Sequence, residues 1–567
     1  MPAPIMAVIC ALAFVLAAVP AAGERIVIGG EGPGSRSWSE SHSVLSVIDF
    51  DTEPGFIQPA RHGPEDNIAL KLLESGGAIT SPNARVVLEI LQSDLDELLD
   101  NMVDGGNEAF VIPGVEMRGV IFRIDLGERF GVNRIRFYPR EGFEFLRGYR
   151  LSLNDGSEEQ TTLGGEPKMR LFAAEERNLD PVVDIPVPLQ YVRFIELQQL
   201  VRGAWEIDEF EVFGEGFPSQ ASYLSTAFDQ GEPAVFGSLV WSPDFIGEPT
   251  KVSATVRTRS GTSPDPGDTL AWSGWSPPYP AGVPTAVASP APRRYWQFLV
   301  QLRSTEILSA ALVDSIAVEV SPALADSLVA EVWPQEARIG ETTELTYWVR
   351  SYNSRGFDQL DIDTQAPVQV VRSVRIDGSE VAWERTDIDG GLRLGFPRIT
   401  GDRVLRVVFE GVALGYKTVF IGRVSDSRRP QDQPQTLVEG DAAPDPVAEG
   451  DDLSVTTRFA GDLIRAVEVD PSPFSPNGDG VNDEATITYD IVNLTDGVPV
   501  SAVVFDLGGR SRRVLYSGLH GSGRFGRAWD GTDDAGRRLP PGLYVVRVEI
   551  DADTGTESRM AIVPVAY

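Results

Sequence analysis

The chain of 567 residues contains one cysteine and three histidines. The cysteine, Cys10, falls within the first 23 residues. The remainder therefore forms no disulfide, carries no thiol nucleophile and offers no cysteine ligand for a metal. His42, His62 and His520 are widely separated, which argues against zinc centres and histidine-based triads. Basic charge is also scarce. Against 83 Asp and Glu stand 49 Lys and Arg, a formal net charge of −34. Nucleic-acid binding needs a basic footprint, so that class is excluded, and anionic membrane surfaces are disfavoured. The acidity fits solubility and self-repulsion, or a surface loaded with calcium. No phosphate-cradling Gly loop follows a strand and opens a helix. Carboxylates are so numerous that chance pairs are expected, and nothing places two of them in a cleft for glycoside hydrolysis. No catalytic residue is identified, and the chain is expected not to be an enzyme.

Long apolar runs are confined to the N-terminus. Met1 to Gly23 carries no charged side chain, and Ile5 to Val19 is nearly all apolar. That run falls short of the roughly 20 residues of a spanning helix. The small residues Pro20-Ala21-Ala22-Gly23 follow it, as a signal peptidase requires. A secretory signal peptide over 1–23 is expected, with no membrane span after its removal. The absence of Lys and Arg from its first residues leaves an uncleaved anchor open.

From Val120 onward, short alternating segments are bounded by Gly, Pro, Asn and Asp, the pattern of β-sandwiches in series. The fold class expected is all-β. Residues 24–65, with Gly29-Gly30-Glu31-Gly32-Pro33-Gly34, read as an extended arm. Residues 66–216, 217–322, 323–466 and 467–567 read as four domains, the third immunoglobulin-like or fibronectin-like. One helix is expected over Val86–Met102, where Leu88, Leu91, Leu95, Leu98 and Leu99 recur at helical spacing with a core-facing stripe. In 217–322, Trp272-Ser273-Gly274-Trp275-Ser276 resembles the tryptophan–arginine ladders of thrombospondin repeats and cytokine receptors. A local stack of Trp272 and Trp275 on Arg is preferred there over a sugar platform.

Two segments carry family resemblances. Pro473-Phe474-Ser475-Pro476-Asn477-Gly478-Asp479-Gly480-Val481-Asn482-Asp483-Glu484 leads into an alternating strand, Ala485 to Ile491. Trp529-Asp530-Gly531-Thr532 and Pro540-Pro541-Gly542 then precede a closing strand, Tyr544 to Ile550. Together these resemble the FlgD-type immunoglobulin-like domain, which ends large exported bacterial proteins. The resemblance implies a secreted or cell-surface bacterial protein. Residues 66–216 present Asp104-Gly105-Gly106-Asn107, then Ile124-Asp125-Leu126-Gly127, Phe137-Tyr138-Pro139-Arg140 and Gly148-Tyr149-Arg150-Leu151, and end on Trp205 to Gly214. That succession resembles the discoidin, or coagulation-factor-type C, domain with its galactose-binding-like jelly roll.

The resemblances bring candidate sites. In carbohydrate-binding relatives of discoidin domains a structural calcium sits at the Asp-Gly turn and is closed by a Glu of the final strand; Asp104, Asn107 and Glu209 match, with Phe110 in place of the expected Trp. A second oxygen-rich loop has Asn477, Asp479 and Asp483 at positions three, five and nine of an EF-hand-type spacing. Ser475 and Thr486 stand at its first and twelfth positions, so it reads either as a weak calcium site or as a turn entering the strand. Ligand recognition in discoidin-like domains uses loops at one end of the jelly roll. Arg140, Phe143 and Phe145 belong to such a loop, either as a sugar-stacking group or with both rings in the core. Two function classes follow: a non-catalytic binding or adhesion protein for a glycan or cell-surface polymer, and a structural or assembly protein whose C-terminal domain contacts other surface proteins.

Overall fold

The computed structural model describes residues 23–567 except 73–75, 88–94, 113–116, 365, 367, 369, 445–449, 459–460, 495 and 553–554. The expected signal peptide with Cys10, and Leu88 and Leu91 of the expected helix, lie outside the described residues. Strands account for 57% of the chain and helix for 3%, so the all-β expectation holds. Among the described residues no helix is long and apolar enough to cross a membrane. The chain divides into two compact units, one of residues 24–232 and 236–320, the other containing 233–235 and 321–567.

In the first unit, seven strands build the jelly roll. Two of them, Ile121–Tyr138 and Val183–Gln199, are long enough to run through both of its layers. Their pairing shifts register between Pro186 and Gln190, where Val183–Gln199 carries two extra residues, and between Val192 and Phe194, where Ile121–Tyr138 carries three; extra residues bend a strand and raise its twist. The half beyond the break carries 130–138 and 183–192 with Glu209–Gly216 and His62–Asn67. The other half carries 121–126 and 194–199 with Tyr149–Asn154, Arg170–Glu175 and Ala78–Thr80. Alternation along Ile121–Tyr138 sends Phe122, Ile124, Leu126, Phe130, Ile135 and Phe137 into one apolar core. Of the expected Val86–Met102 helix, the described helical residues are Val86 and Val87, which end the short helix Ala84–Val87, and Asp96–Asp100. Leu95 and Leu99 are buried in that core and Leu98 packs against it, as a core-facing stripe requires.

An eight-stranded sheet and a two-stranded ribbon of Ile48–Asp49 with Gln58–Pro59 also belong to this unit. Residues 24–65 are extended but not free. Glu24–Gly29 pairs with the strand starting at Ala310, Glu24 opposite Val320, and His42–Ser46 pairs with Gln220–Ser225. Trp38 packs edge-on against Tyr223 at 5.1 Å. Arg259 lies 5.1 Å from the Trp272 ring and 4.7 Å from Trp275, with two hydrogen bonds to Gln297 Oε1 at 2.8 and 2.6 Å. The local ladder is what forms.

The second unit contains two sandwiches. Thr342–Asp363 and Gly391–Val412 pair along most of their length as the spine of a nine-stranded sheet. The C-terminal sandwich sets three strands, Ile464–Asp470, Ala485–Ile491 and Gly523–Trp529, against four. Ala485–Ile491 has the bounds read from its alternation. The strand read as closing runs Gly542–Ala552 and is not last, because Gly555–Val565 pairs with it throughout as the edge.

Candidate functional site

Two features meet at one end of the jelly roll. The first is the acidic turn. The N–H of Phe210 donates to the Met102 carbonyl (2.6 Å) and that of Phe110 to the Ile207 carbonyl (2.8 Å). This lacing holds residues 102–110 across the start of the final strand and brings Asp104 to Glu209. Asp104 Oδ1 accepts the Gly106 N–H at 2.6 Å, and Gly105 turns the chain with φ +68°, a conformation that favours glycine. Phe110 fills the core beneath, 5.0 Å from Phe122 and 5.7 Å from Trp205.

Glu209 is only 5% exposed, and neither of its carboxylate oxygens has a hydrogen bond of good geometry. Burial pushes its pKa up to about 7, with Asp104, Asp208 and Glu211 adding repulsion and the Gly105 N–H opposing them. The pKa of Asp208 is raised as well, first by burial and then by Glu206, and its Oδ1 is buried without a partner. Asp100 is raised by burial, Asp96 and Asp104. Little positive charge answers this cluster: Arg136 reaches Glu211 at 3.5 Å, and Arg140 is committed to Glu206. Buried carboxylates short of donors are costly, and the turn holds several such oxygens. Asn107 is exposed and lines, with Glu209 and Asp208, a cleft of about 1030 Å³. Among the described residues, no three His, Cys, Asp or Glu side chains are grouped to hold a metal. A cation here would draw on Asp104, Glu209 and oxygens of other kinds.

The second feature is the loop 139–148. Glu206, 4% exposed, accepts from Arg140 three times: from its backbone N at 3.0 Å, Nε at 2.9 Å and Nη2 at 2.8 Å. The Arg140 hydrogen bonds and ion pair pull the Glu206 pKa down despite burial. A bidentate Arg–carboxylate pair fixes the guanidinium plane, and that plane lies 4.4 Å from the Phe143 ring. Phe143 is 55% exposed, which removes the core reading for this ring. Phe145 is half-buried, with the Arg147 guanidinium 3.7 Å from its centroid. Asn178 stitches the neighbouring loop to this one, its Nδ2 donating to the Leu146 carbonyl at 2.7 Å. That loop exposes Leu179 and Val182. Sequence reading missed Glu206, which lies in the Trp205 to Gly214 segment but ahead of the strand, which begins at Glu209. It also missed Arg147 and Asn178, and no local motif marks either.

The C-terminal loop is brought together as a turn. Asp483 accepts the N–H groups of Gly478 (2.5 Å) and Gly480 (2.7 Å). Asn477 Oδ1 accepts the Asp479 N–H at 2.8 Å, and Asp479 Oδ1 accepts the Val481 N–H at 2.8 Å. The Gly478 and Gly480 N–H groups hold the Asp483 carboxyl below its usual range. These oxygens already have donors, which favours the turn reading.

No family model matches the chain, and no curated protein matches it. Among solved structures the chain is similar to the Clostridium perfringens module CpGH89CBM32-5, in complex with GalNAc-β-1,3-galactose, at 18% identity over 24% of this chain and 94% of that one, TM-score 0.18. It is similar to a Streptococcus pneumoniae fucose binding module at 18% identity over 26% and 96%, TM-score 0.18. The lectin domain of lectinolysin, complexed with Lewis B antigen, matches at 12% identity over 27% and 100%, TM-score 0.18. At such low scores the function of this chain has to be read from its own geometry.

Proposed function

We propose that the protein is an exported, non-catalytic binding protein whose jelly roll takes a carbohydrate ligand on the 139–148 loop. The observation that carries this is the exposed Phe143 ring beside the Arg140 guanidinium, which Glu206 locks in place. An exposed ring offers a face to the C–H surface of a sugar, and a pre-oriented guanidinium offers donors to its hydroxyls. The Glu206 bonds orient the guanidinium in advance, which lowers the entropic cost of binding. Calcium belongs to the same reading. Asp104 and Glu209 would hold it, neutralising the buried carboxylates and tying the turn to the final strand. A glycan array probed with the whole chain and with Phe143→Ala, each in calcium and in chelator, tests this. Retention of a sugar class that Phe143→Ala abolishes supports the reading. Silence from a folded chain refutes it.

An assembly role has an observation of its own. On the outer face of the C-terminal four-stranded sheet, Leu543, Met560 and Ile562 are 49%, 62% and 61% exposed. Ile562 lies opposite Val545 and Met560 opposite Arg547. Apolar side chains grouped on a sheet face suit protein contact. If that face assembles, Ile562→Glu shifts the chain to smaller species in light scattering; an unchanged mass removes this alternative.

A further inference from the structure

We propose that a second cleft, at the opposite end of the jelly roll, binds an acidic saccharide through its carboxylate or sulfate group. The Arg140 loop enters the strand Tyr149–Asn154 at its start, and this cleft lies at its finish. At about 3.3 Å per residue the two sites are roughly 17 Å apart along the strand. The cleft has a volume of about 350 Å³, near the lower bound for small-ligand sites and suited to one or two sugar rings.

Its charge is the reverse of the chain's. Arg129, Lys168 and Arg170 line it, with Asp155 the only acid among its lining residues. Arg129 reaches Asp155 only at 3.7 Å, too long for a hydrogen bond, and its Nε is buried without a partner. Lys168 Nζ donates to a backbone carbonyl, that of Glu159, at 2.9 Å. Arg170 has only a long contact, 3.5 Å, with Gln190 Oε1. Elsewhere in this domain Arg123, Arg134, Arg140 and Arg193 each hold a carboxylate within 3 Å. In a chain with 34 excess negative charges, cations left without such a partner in one concavity mark an anion site.

The cleft is also built rather than incidental. Asn154, 5% exposed, donates through Nδ2 to the carbonyls of Gln160 (2.8 Å) and Lys168 (2.9 Å) and accepts the Gly156 N–H at 2.7 Å. One buried amide thus fixes both ends of the 155–168 turn. Gly156 has φ +74°, and a Cβ there would meet the Arg193 side chain at 2.7 Å. Arg129 lies 5.1 Å from the ring of Tyr191, another wall of the cleft. The cations supply charge-assisted bonds to the anionic group, and the Gln190 amide reaches neighbouring hydroxyls.

The saccharide part of this inference rests on the proposed carbohydrate-binding role; recognition of the anion does not. The test is calorimetric titration of the whole chain with trigalacturonate, a sulfated galactan trisaccharide and a neutral galactan trisaccharide, without calcium. An acidic trisaccharide should bind, about tenfold more weakly to Arg170→Gln and to Lys168→Gln. Binding should also weaken in about 0.5 M salt. Preference for the sulfated or the carboxylated sugar names the source of the anion, and either supports the cleft. The proposal is overturned if neither acidic sugar binds to a chain with native melting temperature. It is equally overturned if both cleft variants bind like the parent, or if Phe143→Ala alone removes the binding. The neutral trisaccharide reads the loop site separately, so the two readings fail independently.

Discussion

Replacing Glu209 by Gln is expected to stabilise the protein at alkaline pH without calcium and to weaken it with calcium. The carboxyl has its pKa raised from 4.5 to about 7, chiefly by burial. A buried acid with a raised folded-state value binds its proton more tightly when folded, so stability is full below the unfolded value and falls as pH climbs from 4.5 to about 7. At ~1.4 kcal/mol per pH unit the loss is at most about 3 kcal/mol. Gln keeps the shape of Glu and never ionises. In chelator at pH 8, Glu209→Gln should therefore melt up to ~6–12 °C above the parent in the jelly-roll transition, taking 2–4 °C per kcal/mol for a domain of this size. At pH 4.5 the two should melt together. Calcium inverts the order at pH 8, because the cation binds the ionised carboxylate and the amide is a poorer ligand. Differential scanning calorimetry at both pH values, with and without calcium, reads all four conditions. Equal destabilisation of the variant at pH 4.5 and pH 8 in chelator would refute the reasoning, since it would make Glu209 a packing residue whose charge is immaterial.

Three further substitutions separate binding from architecture. Phe143→Ala should lower affinity for a neutral sugar about tenfold or more, in line with the loss of an aromatic anchor, with no change in melting temperature because the ring is half exposed; array and calorimetry together check this. Tyr347 is fully buried and donates to the Phe420 carbonyl at 3.0 Å, so Tyr347→Phe should cost about 1–2 kcal/mol by leaving that acceptor unpaired, measured by urea unfolding. Arg259→Ala should loosen the Trp272–Trp275 ladder and cost about 1–2 kcal/mol, with a shift in tryptophan emission as its second readout.

What the sequence disclosed follows from the range of the forces involved. Alternation is local, so Ala485–Ile491 could be bounded to the residue and the all-β class named. The Asp104–Gly105–Gly106 turn was legible because an Asx turn and a left-handed glycine are written in adjacent residues. The final β-strand at Gly555–Val565 was overlooked because its alternation is weak: one face carries Thr556, Ser558, Met560 and Ile562, all exposed. Residues 24–65 read as an arm because their strands Glu24–Gly29 and His42–Ser46 pair with partners about 180 to 300 residues away, which leaves no mark in their own neighbourhood.

The candidate sites divide along the same line. Asp104 with Glu209, and Arg140 with Phe143, were named from a pattern of types and order. What makes each pair a candidate site is a long-range partner. The lacing of Phe210 to Met102 goes with a buried Glu209 carboxylate that has no well-formed hydrogen bond and only the Gly105 N–H to oppose its raised pKa. Glu206, 66 residues beyond Arg140, holds a guanidinium that on its own would be a flexible surface cation. The Asn477–Asp483 loop is the converse case. It displays a similar set of oxygens, yet every contact that organises it lies within a few residues, and its own N–H groups occupy the carboxylates. Oxygen-rich loops of near-identical composition therefore part ways on whether the fold leaves their oxygens wanting. Under the proposed function, a cation would sit at Glu209 rather than in this loop.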